Sequence, residues 1–360
     1  MIPPRIFEQS LLGFLAPIRE YLTDSSVSEI MINGPSEVFI ERQGMVYRTD
    51  VHFENQEALE SALRNLAQYA GRHVDVHRPI LEGRLPDGSR VQAVFPPAAP
   101  NGPFVAIRRF SAKPLTIKQL IEFGALTRDA AEFLRIAVAA KQNIIVAGGT
   151  GSGKTSLLNT LSSFIDENER VVVIEDSREL QLSLPHVVQL ECVAPDAKGR
   201  GRITTRDLFK ATLRMRPDRV VVGEIRGQEA LELIQAMTSG HGGCLSTVHA
   251  TYPIDTLNRL ETMALMSDVL LPLYALRAQV ASAIDLIIQT TRLRDGTRCV
   301  THITEVCGFN DTSGYQLADV FERKYDEQGG SSLEPSGHLP KCAASAQALG
   351  LKLPESMHVK

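Results

Sequence analysis

The stretch that decides the fold is Asn143-Ile-Ile-Val-Ala-Gly-Gly-Thr-Gly-Ser-Gly-Lys-Thr-Ser-Leu-Leu158, which fits the pattern G-x-x-x-x-G-K-[ST] from Gly148 to Thr155. Glycines allow backbone turns that side chains forbid, so successive N–H groups can point at phosphate oxygens. Lys154 can reach the β- and γ-phosphates of a nucleotide, and the Thr155 hydroxyl can ligate Mg²⁺. The predicted nucleotide-binding residues are Gly148, Gly149, Thr150, Gly151, Ser152, Gly153, Lys154, Thr155 and Ser156.

The flanking sequence supports a strand–loop–helix unit around this pattern. Residues 143–147 form a short apolar run that is typical of a buried parallel strand. Residues 156–164 carry apolar side chains at helical spacing, and a helix that begins near Gly153 would add the positive end of its dipole to a phosphate site. A glycine-rich loop can match the pattern by chance, but the strand before it and the helix after it favour binding of a nucleoside triphosphate.

The composition is that of an ordinary globular protein with two or three domains. The chain has 360 residues, of which 43% are hydrophobic and 22% charged. Its net charge of −4 and its pI of about 6.2 do not suggest a nucleic-acid partner, although local basic patches remain open. The composition is therefore that of a soluble globular protein and gives no overall signal for nucleic-acid binding.

The cysteines and the hydropathy pattern bear on the compartment. Five cysteines are scattered without a C-x-x-C pair, which predicts free thiols in a reducing cytoplasm rather than a zinc module or a redox pair. The sequence shows no signal-peptide core and no apolar run of 18 residues. We therefore expect a cytoplasmic protein without a membrane span, whose contact with a membrane runs through partner proteins.

Residues 1–110 have the pattern of a small α+β domain. Helices are predicted at 8–21 and 57–70, a strand at 28–33, and a hairpin at 37–48. Further strand patterns lie within 81–95 and 104–110, and residues 111–116 are the predicted linker.

The second predicted domain, 117–325, alternates strands and helices, which indicates an α/β fold with a parallel or mixed sheet covered by helices. Its predicted strands are 143–148, 170–175, 187–192, 219–224, 244–249, 285–292 and 299–306. Its predicted helices are 117–123, 128–141, 154–166, 205–215, 228–239, 253–266 and 272–283. The tail, 326–360, contains a glycine–serine run and scattered prolines and is predicted to be irregular or loosely packed.

Three further clusters of polar residues follow strand-like runs, where ligands of parallel sheets gather. The first contains Glu175, Asp176 and Glu179, three carboxylates within five residues. One of them could hold or polarise an attacking water, a role worth ~10²–10⁴ in rate. A solvated acidic turn would give the same pattern.

The second cluster is an apolar strand that ends in Gly223 and Glu224, which is the arrangement of a Walker B motif. Its acid would order water or Mg²⁺ beside the γ-phosphate, and Gly223 would permit close backbone approach. A core strand followed by a surface glutamate is the alternative. The predicted metal ligands are therefore Thr155 and Glu224.

The third cluster runs from Gly240 to Ala250, with His241 near its beginning and His249 at the end of a strand-like run. A histidine at a strand end can hydrogen-bond a γ-phosphate or a catalytic carboxylate. A structural histidine is the plainer alternative, and the spacing of eight residues gives little support for a metal site.

The order and spacing of the four clusters resemble the secretion ATPase superfamily of type II and type IV secretion and pilus motors. That superfamily carries Walker A, an Asp box, an atypical Walker B with glutamate, and a His box, in this order. The chain is most similar to the tight-adherence (Tad/CpaF) pilus ATPases, over roughly residues 22–341. Further motifs similar to that family are Ser28-Glu-Ile-Met-Ile-Asn-Gly-Pro35, Arg84-Leu-Pro-Asp-Gly-Ser-Arg90, Leu213-Arg-Met-Arg-Pro-Asp-Arg219, Gly240-His-Gly-Gly243 and Thr301-His-Ile-Thr-Glu-Val306.

The resemblance implies a PAS-like N-terminal domain joined to a RecA-like ATPase domain. It also implies a homo-hexameric ring on the cytoplasmic side of an inner-membrane platform, where hydrolysis of ATP with Mg²⁺ powers pilus assembly. Retraction remains open, because the sequence does not distinguish the two directions.

The resemblance also assigns roles to individual residues. It makes Glu179 the catalytic base and Glu224 the Walker B acid, and it makes His241 and His249 the His-box residues. Arg90 and Arg108 match N-domain arginines that reach nucleotide phosphates, although both could be plain surface charges. Alternation along the strand places Arg108 and its neighbour Arg109 on opposite faces.

This chain departs from the family pattern in three places. Gly242-Gly-Cys244 stands where tight-adherence members often carry an acid and a serine, and Ser156 stands where a second threonine is common. The tetracysteine insert of type II secretion ATPases is missing, which argues against that branch.

Two alternatives use the same core. A nucleic-acid translocase or recombinase is disfavoured, because the sequence shows no helix-turn-helix and no aromatic stacking surface. A conjugation-type secretion ATPase is the closer alternative. The segments Ser28–Pro35 and Gly337–Lys341 favour the pilus motor over it.

Overall fold

The computed structural model divides into two compact units, Met1–Lys113 and Pro114–Lys360. The boundary falls within the predicted linker, 111–116, of which 111–113 lie outside the described residues. The structure describes residues 11–109, 114–195, 199–240, 242–326 and 330–357.

The first unit is a six-stranded antiparallel sheet with one long helix. Its strands are β1 (Val27–Asn33), β2 (Val38–Arg42), β3 (Met45–Arg48), β4 (Ile80–Arg84), β5 (Arg90–Val94) and β6 (Phe104–Arg108). They are ordered β3-β2-β1-β6-β5-β4. The long helix, Gln56–Tyr69, begins where the Asn55 side chain accepts a hydrogen bond from the backbone N–H of Ala58, and its buried leucines face the core.

The helix predicted at 8–21 is wrong as a single element. Its described part is helical at 11–14, then breaks into a 3₁₀ turn, Ala16–Ile18, which is followed by the short helix α1 (Arg19–Thr23). Pro17 lies in that turn, and its ring removes an N–H group and disfavours the helical conformation of the residue before it. The helix Gln56–Tyr69 is therefore α2.

The second unit contains a nine-stranded mixed sheet. Its strands are β7 (Ile144–Gly148), β8 (Val171–Glu175), β9 (Val187–Glu191), β10 (Arg219–Ile225), β11 (Leu245–His249), β12 (Leu286–Arg292), β13 (Arg298–Asn310), β14 (Gly314–Tyr325) and β15 (Ser331–Pro335). The order is β15-β14-β13-β12-β7-β11-β10-β8-β9. The six strands from β12 to β9 are parallel, and β13, β14 and β15 extend the sheet in antiparallel fashion.

Helices cover both faces of this sheet, as the alternating sequence pattern predicts. They are α3 (Ile117–Glu122), α4 (Arg128–Ala139), α5 (Lys154–Ser162), α6 (Thr205–Thr212), α7 (Ala230–Thr238), α8 (Pro253–Leu265), α9 (Leu273–Ala283) and α10 (Cys342–Ala348). One core contains α4, α5 and α10, and a second contains α7, α8 and α9. Because β7, β8 and β10 are enclosed between these layers, they read as continuous apolar runs.

Asn143 fixes the beginning of the central strand β7. Its side chain is 6% exposed, and its Oδ1 accepts hydrogen bonds from the backbone N–H groups of Gly243 and Cys244 at 2.9 and 3.0 Å. Its Nδ2 donates to the carbonyl of Ala283 at 2.8 Å, and its backbone N–H donates to Asp285 Oδ2 at 2.7 Å. One buried side chain thus sets how the segments entering β11 and β12 align with β7.

The tail that we predicted to be irregular is an ordered part of the second unit in its described residues. The strand β15 pairs with β14, and the Thr127 hydroxyl donates to the carbonyl of Leu333 at 3.0 Å. Leu333, Cys342, Ala346 and Met357 lie in the core beside α4. The glycine and serine content concealed this order, because burial of the apolar residues farther along the tail outweighs the local propensity.

Two other features of the chain concern its cysteines and the length and polarity of its helices. All five cysteines are free, in agreement with the prediction from their spacing. Among the described residues, the helices are all too short or too polar to span a bilayer.

Candidate functional site

The glycine-rich pattern forms a loop at the carboxyl edge of the parallel strands, between β7 and α5. Gly148 pairs with His249 of β11 on one side and with Thr290 of β12 on the other. Gly151 and Gly153 have φ values of +70° and +94°, which residues with a Cβ rarely adopt. The loop therefore takes the backbone shape that the pattern predicts for a phosphate cradle.

Two hydroxyl groups close the loop on itself. The Ser152 hydroxyl donates to the carbonyl of Gly149 at 2.9 Å and lies 2.8 Å from the Thr290 hydroxyl, which donates to the carbonyl of Ala147 at 2.9 Å. A Cβ on Gly148 would lie 2.2 Å from the Thr290 hydroxyl oxygen and 2.6 Å from its carbonyl oxygen. Only glycine fits at position 148, because any side chain there would collide with Thr290 of β12.

The side chains of the loop, the Walker B strand and the His box meet directly. Lys154 is 7% exposed, and its ammonium donates to the carbonyl of Gly149 at 2.9 Å and lies 3.3 Å from His249 Nδ1. His249 Nε2 lies 3.0 Å from Glu224 Oε1. Burial, and then the charge of Lys154, lowers the pKa of His249, so its ring is neutral at pH 7. A neutral ring that accepts from Lys154 at Nδ1 carries its proton on Nε2, toward Glu224.

Glu224 remains ionised in this half-buried position. Burial opposes its charged form, but the hydrogen bond from Arg226 at 2.8 Å and the charges of Arg226 and Lys154 outweigh burial and lower the pKa of Glu224. The hydrogen bond to Glu224 raises the pKa of Arg226, and the charges of Glu224, Asp176 and Glu179 raise it further. Arg226 therefore connects Glu224, the predicted Walker B acid, to the acidic cluster after β8.

Glu175 and Glu179 have different environments within that cluster. Glu175 is 4% exposed, and its Oε1 accepts hydrogen bonds from the backbone N–H groups of Glu179 and Leu180 at 2.8 and 2.9 Å. Burial raises the pKa of Glu175 to about 7 despite these bonds. Glu179 is half-buried. Glu175 thus orients the loop that carries Glu179, as a structural acid beside the predicted base.

Gly223 serves a purpose that the sequence did not reveal. A Cβ at this position would lie 2.9 Å from Glu175 Cγ, so the absent side chain leaves room for Glu175. The pairing of β10 with β11 shifts register between Val222 and Ile225, and the Thr247 hydroxyl donates to the carbonyl of Gly223 at 2.7 Å. This irregularity falls on Gly223 and Glu224, at the carboxyl edge of the sheet.

We expect Gly223→Ala to destabilise the second unit by roughly 1–3 kcal/mol, the usual cost of overpacking, and to lower hydrolysis. The new methyl group must displace Glu175, which is fixed by two backbone hydrogen bonds to the loop that carries Glu179. Thermal melting and a steady-state phosphate-release assay would test this, with Gly13→Ala as the control because a Cβ there meets nothing within 4 Å. Unchanged melting and turnover would contradict the proposed contact.

We expect His249→Ala to lower turnover by about tenfold or more, the scale of one lost hydrogen bond to a charged group. Nucleotide affinity should stay within about tenfold of wild type, because Lys154 keeps its other contacts. Equilibrium binding of a fluorescent ATP analogue and turnover under saturating ATP would separate the two effects. His302→Ala, in β13, is the matched control. A variant that fails to bind nucleotide would contradict a role in sensing the γ-phosphate.

Four residues that contact the glycine-rich loop or the segment after β8 were not predicted from the sequence. Thr290 has been described, and Arg298 of β13 donates from Nε to the carbonyl of Gly151 at 2.8 Å. The Arg292 guanidinium lies 3.4 Å from where a Cβ on Gly151 would be. Asn159 of α5 accepts the backbone N–H of Gln181 at 2.8 Å and so links α5 to the loop after β8. The strand boundaries were predicted, but the pairing of β12 with β7 was not.

The predicted arginines of the first unit lie side by side in its sheet. Arg90 of β5 pairs directly with Arg108 of β6, and Arg84 of β4 pairs with Arg90. Val105 and Ile107 are buried whereas Arg108 is exposed, as alternation predicts. Their role toward a nucleotide stays a prediction. His241 lies outside the described residues.

The predicted Mg²⁺ ligands suit the ion chemically. Thr155 is half-buried in the first turn of α5, directly after Lys154, and Glu224 is held ionised within the electrostatic reach of Lys154. A hydroxyl and a carboxylate are the oxygen donors that Mg²⁺ accepts when it shares its coordination with substrate phosphates. Thr155 and Glu224 therefore fit as the protein ligands of such an ion.

Comparison with known proteins identifies the family of this chain. A family model described as "Type II/IV secretion system protein" matches residues 14–337. The conjugal transfer protein TrbB of Rhizobium radiobacter is 32% identical over 296 residues, which cover 81% of this chain and 87% of TrbB. A homologue of the type IV secretion system protein PtlH from Bordetella bronchiseptica is 33% identical over 307 residues, which cover 77% of this chain and 89% of that protein.

A third relative is longer than this chain. An uncharacterized protein of Methanocaldococcus jannaschii is 41% identical over 255 residues, which cover 68% of this chain and 35% of that protein. The chain thus spans about a third of the length of this archaeal relative and most of the length of the bacterial ones.

Two solved structures share the fold. The Legionella pneumophila ATPase DotB superposes with a TM-score of 0.56 at 20% identity, covering 80% of this chain and 79% of DotB. The pilus retraction motor PilT superposes with a TM-score of 0.57 at 18% identity, covering 94% of this chain and 90% of PilT. The predicted RecA-like domain preceded by a smaller α+β domain is thereby confirmed. The chain belongs to the type II/IV secretion system protein family.

Proposed function

We propose that this chain is an ATPase that hydrolyses ATP to ADP and phosphate and powers a type IV pilus or secretion machine. The observation that carries the proposal is the contact of Lys154 with His249, and of His249 with Glu224, at the mouth of the glycine-rich loop. This arrangement links a phosphate-binding cation to an ionised acid through a neutral histidine, and the cation and the acid are parts that phosphoryl transfer to water uses.

In the proposed reaction, the loop and Lys154 bind and orient the phosphates. The ammonium of Lys154 exchanges its bond to the carbonyl of Gly149 for phosphate oxygens, where it offsets the charge that spreads over the transferred group. His249 follows this movement, because its Nδ1 contacts the same ammonium. The side chain of His249 can thus report the state of the γ-phosphate to Glu224.

Glu179 is the proposed general base. Its carboxylate accepts the proton of the attacking water, and Glu175 holds the loop that carries it through two backbone hydrogen bonds. Glu224 orients the water network from the other side, with its charge maintained by Arg226. Mg²⁺, held by Thr155 and Glu224, would neutralise charge on the β- and γ-phosphate oxygens.

The direct test is hydrolysis of ATP by the purified full chain with Mg²⁺, followed by phosphate release and by nucleotide binding in parallel. The proposal expects release of one phosphate per ATP that depends on Mg²⁺. Tight binding of ATP with hydrolysis no faster than the buffer control would overturn the enzymatic proposal and leave a nucleotide-binding protein.

We further propose that the protein acts as a homo-hexamer beside inner-membrane platform proteins, on the cytoplasmic side. The family resemblance supports this, and so does an exposed apolar segment from the end of α8 to the beginning of α9. Its exposed members are Leu265, Met266, Val269, Leu270, Leu273 and Tyr274. Contiguous exposed apolar residues of this kind mark contact sites with other proteins.

The measurement for assembly is specific activity against protein concentration, alongside mass determination with a non-hydrolysable ATP analogue. Activity per chain should rise as hexamers form. A monomer with full specific activity would contradict the proposed ring.

The kind of machine has two candidates. The motifs quoted above resemble tight-adherence pilus motors, whereas the curated relatives TrbB and PtlH carry the names of conjugal transfer and type IV secretion proteins. Deletion of the gene in its own host distinguishes them. Loss of surface pilin with normal plasmid transfer supports the pilus motor, which we favour, and the reverse result supports the conjugation or secretion motor.

A nucleic-acid translocase on the same core is a separate alternative. Single-stranded DNA should leave ATP hydrolysis unchanged if the protein is a pilus or secretion motor. Stimulation by DNA that falls steeply with salt would instead favour the translocase.

A further inference from the structure

A second cluster of functional side chains lies away from the nucleotide site. Glu305 and Cys307 come from β13, and His338 comes from the segment between β15 and α10. His338 Nε2 lies 2.7 Å from Glu305 Oε2, and Cys307 Sγ lies 3.7 Å from the same oxygen. One nitrogen, one sulfur and one oxygen donor thus lie within 4.8 Å of one another.

The position in the sheet separates this cluster from the phosphate loop. Glu305 pairs with Leu286 at the beginning of β12, whereas Thr290, which contacts the loop, is four residues farther along that strand. At 3.3 Å per residue, the separation along β12 is roughly 13 Å. The cluster therefore lies toward the opposite edge of the parallel strands, where none of the proposed nucleotide-binding residues is found.

We propose that Glu305, Cys307 and His338 form a binding site for one zinc ion per chain. Thiolate, imidazole and carboxylate are the three donor types that zinc uses in proteins. With zinc bonds of ~2.0–2.3 Å, tetrahedral geometry requires donors about 3.4–3.6 Å apart, so the His338–Glu305 pair must open by less than about 1 Å. Three protein ligands leave the fourth position for water.

The surroundings of Glu305 are already organised for this role. The carboxylate is 4% exposed, and its second oxygen, Oε1, accepts the backbone N–H of Lys341 at 2.7 Å. Lys341 Nζ also donates to the carbonyl of Cys307 at 2.7 Å. These bonds fix the carboxylate and the strand while leaving Oε2 directed at His338 and Cys307, and such supporting contacts orient metal ligands.

Zinc at this site would fasten the C-terminal segment to the sheet. His338 and Lys341 lie on either side of Pro340, between a strand and a helix that both belong to the core of the second unit. Zinc binding breaks the His338–Glu305 hydrogen bond, because Nε2 must give up its proton and the ring then carries its one proton on Nδ1. The thiol proton of Cys307 passes to the solvent. The ion would then link β13 to the segment that leads into α10.

The test uses the full chain, stripped with a chelator under reducing conditions and then dialysed against zinc. Elemental analysis gives the stoichiometry, and competition with a chromophoric chelator gives the affinity. We expect one zinc per chain in the wild type, and at least about a tenfold loss of affinity in His338→Gln and in Cys307→Ser. The matched controls, His302→Gln and Cys192→Ser, should bind as the wild type does.

A second measurement needs no variant and so does not depend on folding of the mutants. Alkylation of the native chain, mapped by mass spectrometry, should be slowed by zinc at Cys307 and not at Cys192. Wild-type protein that retains no zinc, site variants that bind as wild type, or unprotected Cys307 would each overturn the proposal. Loss of the ion in His249→Ala with retention in His338→Gln would place it at the His box instead.

Discussion

Replacing Lys154 by alanine should abolish ATP hydrolysis, with a loss of ~10³-fold or more, the scale of a cation removed from transition-state charge in phosphoryl transfer. Lys154 is buried at the mouth of the loop, where water screens its charge poorly. Its neighbours Gly149 and His249 offer a carbonyl and a neutral ring, and neither can replace the positive charge. Nucleotide binding should weaken as well, because the same ammonium contacts the β- and γ-phosphates in the ground state.

The measurement is phosphate release by purified Lys154→Ala under saturating ATP, with nucleotide affinity determined separately. Lys118→Ala is the matched control, since that lysine is exposed on α3 and pairs only loosely with Glu122 at 3.9 Å. The control should behave as wild type. Hydrolysis by Lys154→Ala within about threefold of wild type would mean that the loop is not a phosphate site.

The elements of this fold that could be predicted are those determined by the residue pattern within one segment. Each of the seven strands predicted in the second domain is present, because runs such as 219–224 are buried on both faces and carry an unmistakable apolar signal. The glycine-rich loop was predictable because few residue types tolerate φ values such as that of Gly153. In both cases, the sequence of one short segment is enough to predict the local structure.

The parts that were missed depend on pairing between distant segments. Thr290 contacts the loop only because β12 lies beside β7, which the sequence of neither strand reveals. Arg298 lies on β13, the strand that pairs with β12, and from there it donates to the carbonyl of Gly151. The tail is ordered because Leu333 and Met357 fill a core formed by residues 130 to 320. The glycines and prolines near these residues instead predicted an irregular tail.

The acidic cluster shows where sequence reasoning reached its limit. Glu175 and Glu179 are equivalent by composition, and the family resemblance alone distinguished them. The structure separates them by environment: Glu175 is buried with its pKa raised to about 7, and both of its bonds are to backbone N–H groups. Gly223 leaves room for the buried Glu175, and this contact between two neighbouring strands cannot be read from either segment alone.

These environments give opposite expectations for two isosteric variants. Glu179→Gln should retain ATP binding and lose hydrolysis by ~10²-fold or more, because the amide cannot accept the proton of the attacking water. Glu175→Gln should stay within about tenfold of wild type. The amide oxygen can still accept the hydrogen bonds from Glu179 and Leu180, and a carboxyl with a pKa near 7 is already neutral for much of the time at neutral pH.

The comparison is best made by single-turnover hydrolysis with enzyme in excess, alongside equilibrium binding, so that product release does not mask the chemical step. Burial disfavours the charged form of Glu175, so raising the pH from 4.5 to 8 should lower the melting temperature of wild type more than that of Glu175→Gln. Its folded-state pKa of about 7 lies above the ordinary 4.5, so its contribution to stability is full below about pH 4.5 and is lost as the pH rises through about 7. An inactive Glu175→Gln beside an active Glu179→Gln would reverse the two roles and make the buried acid the base.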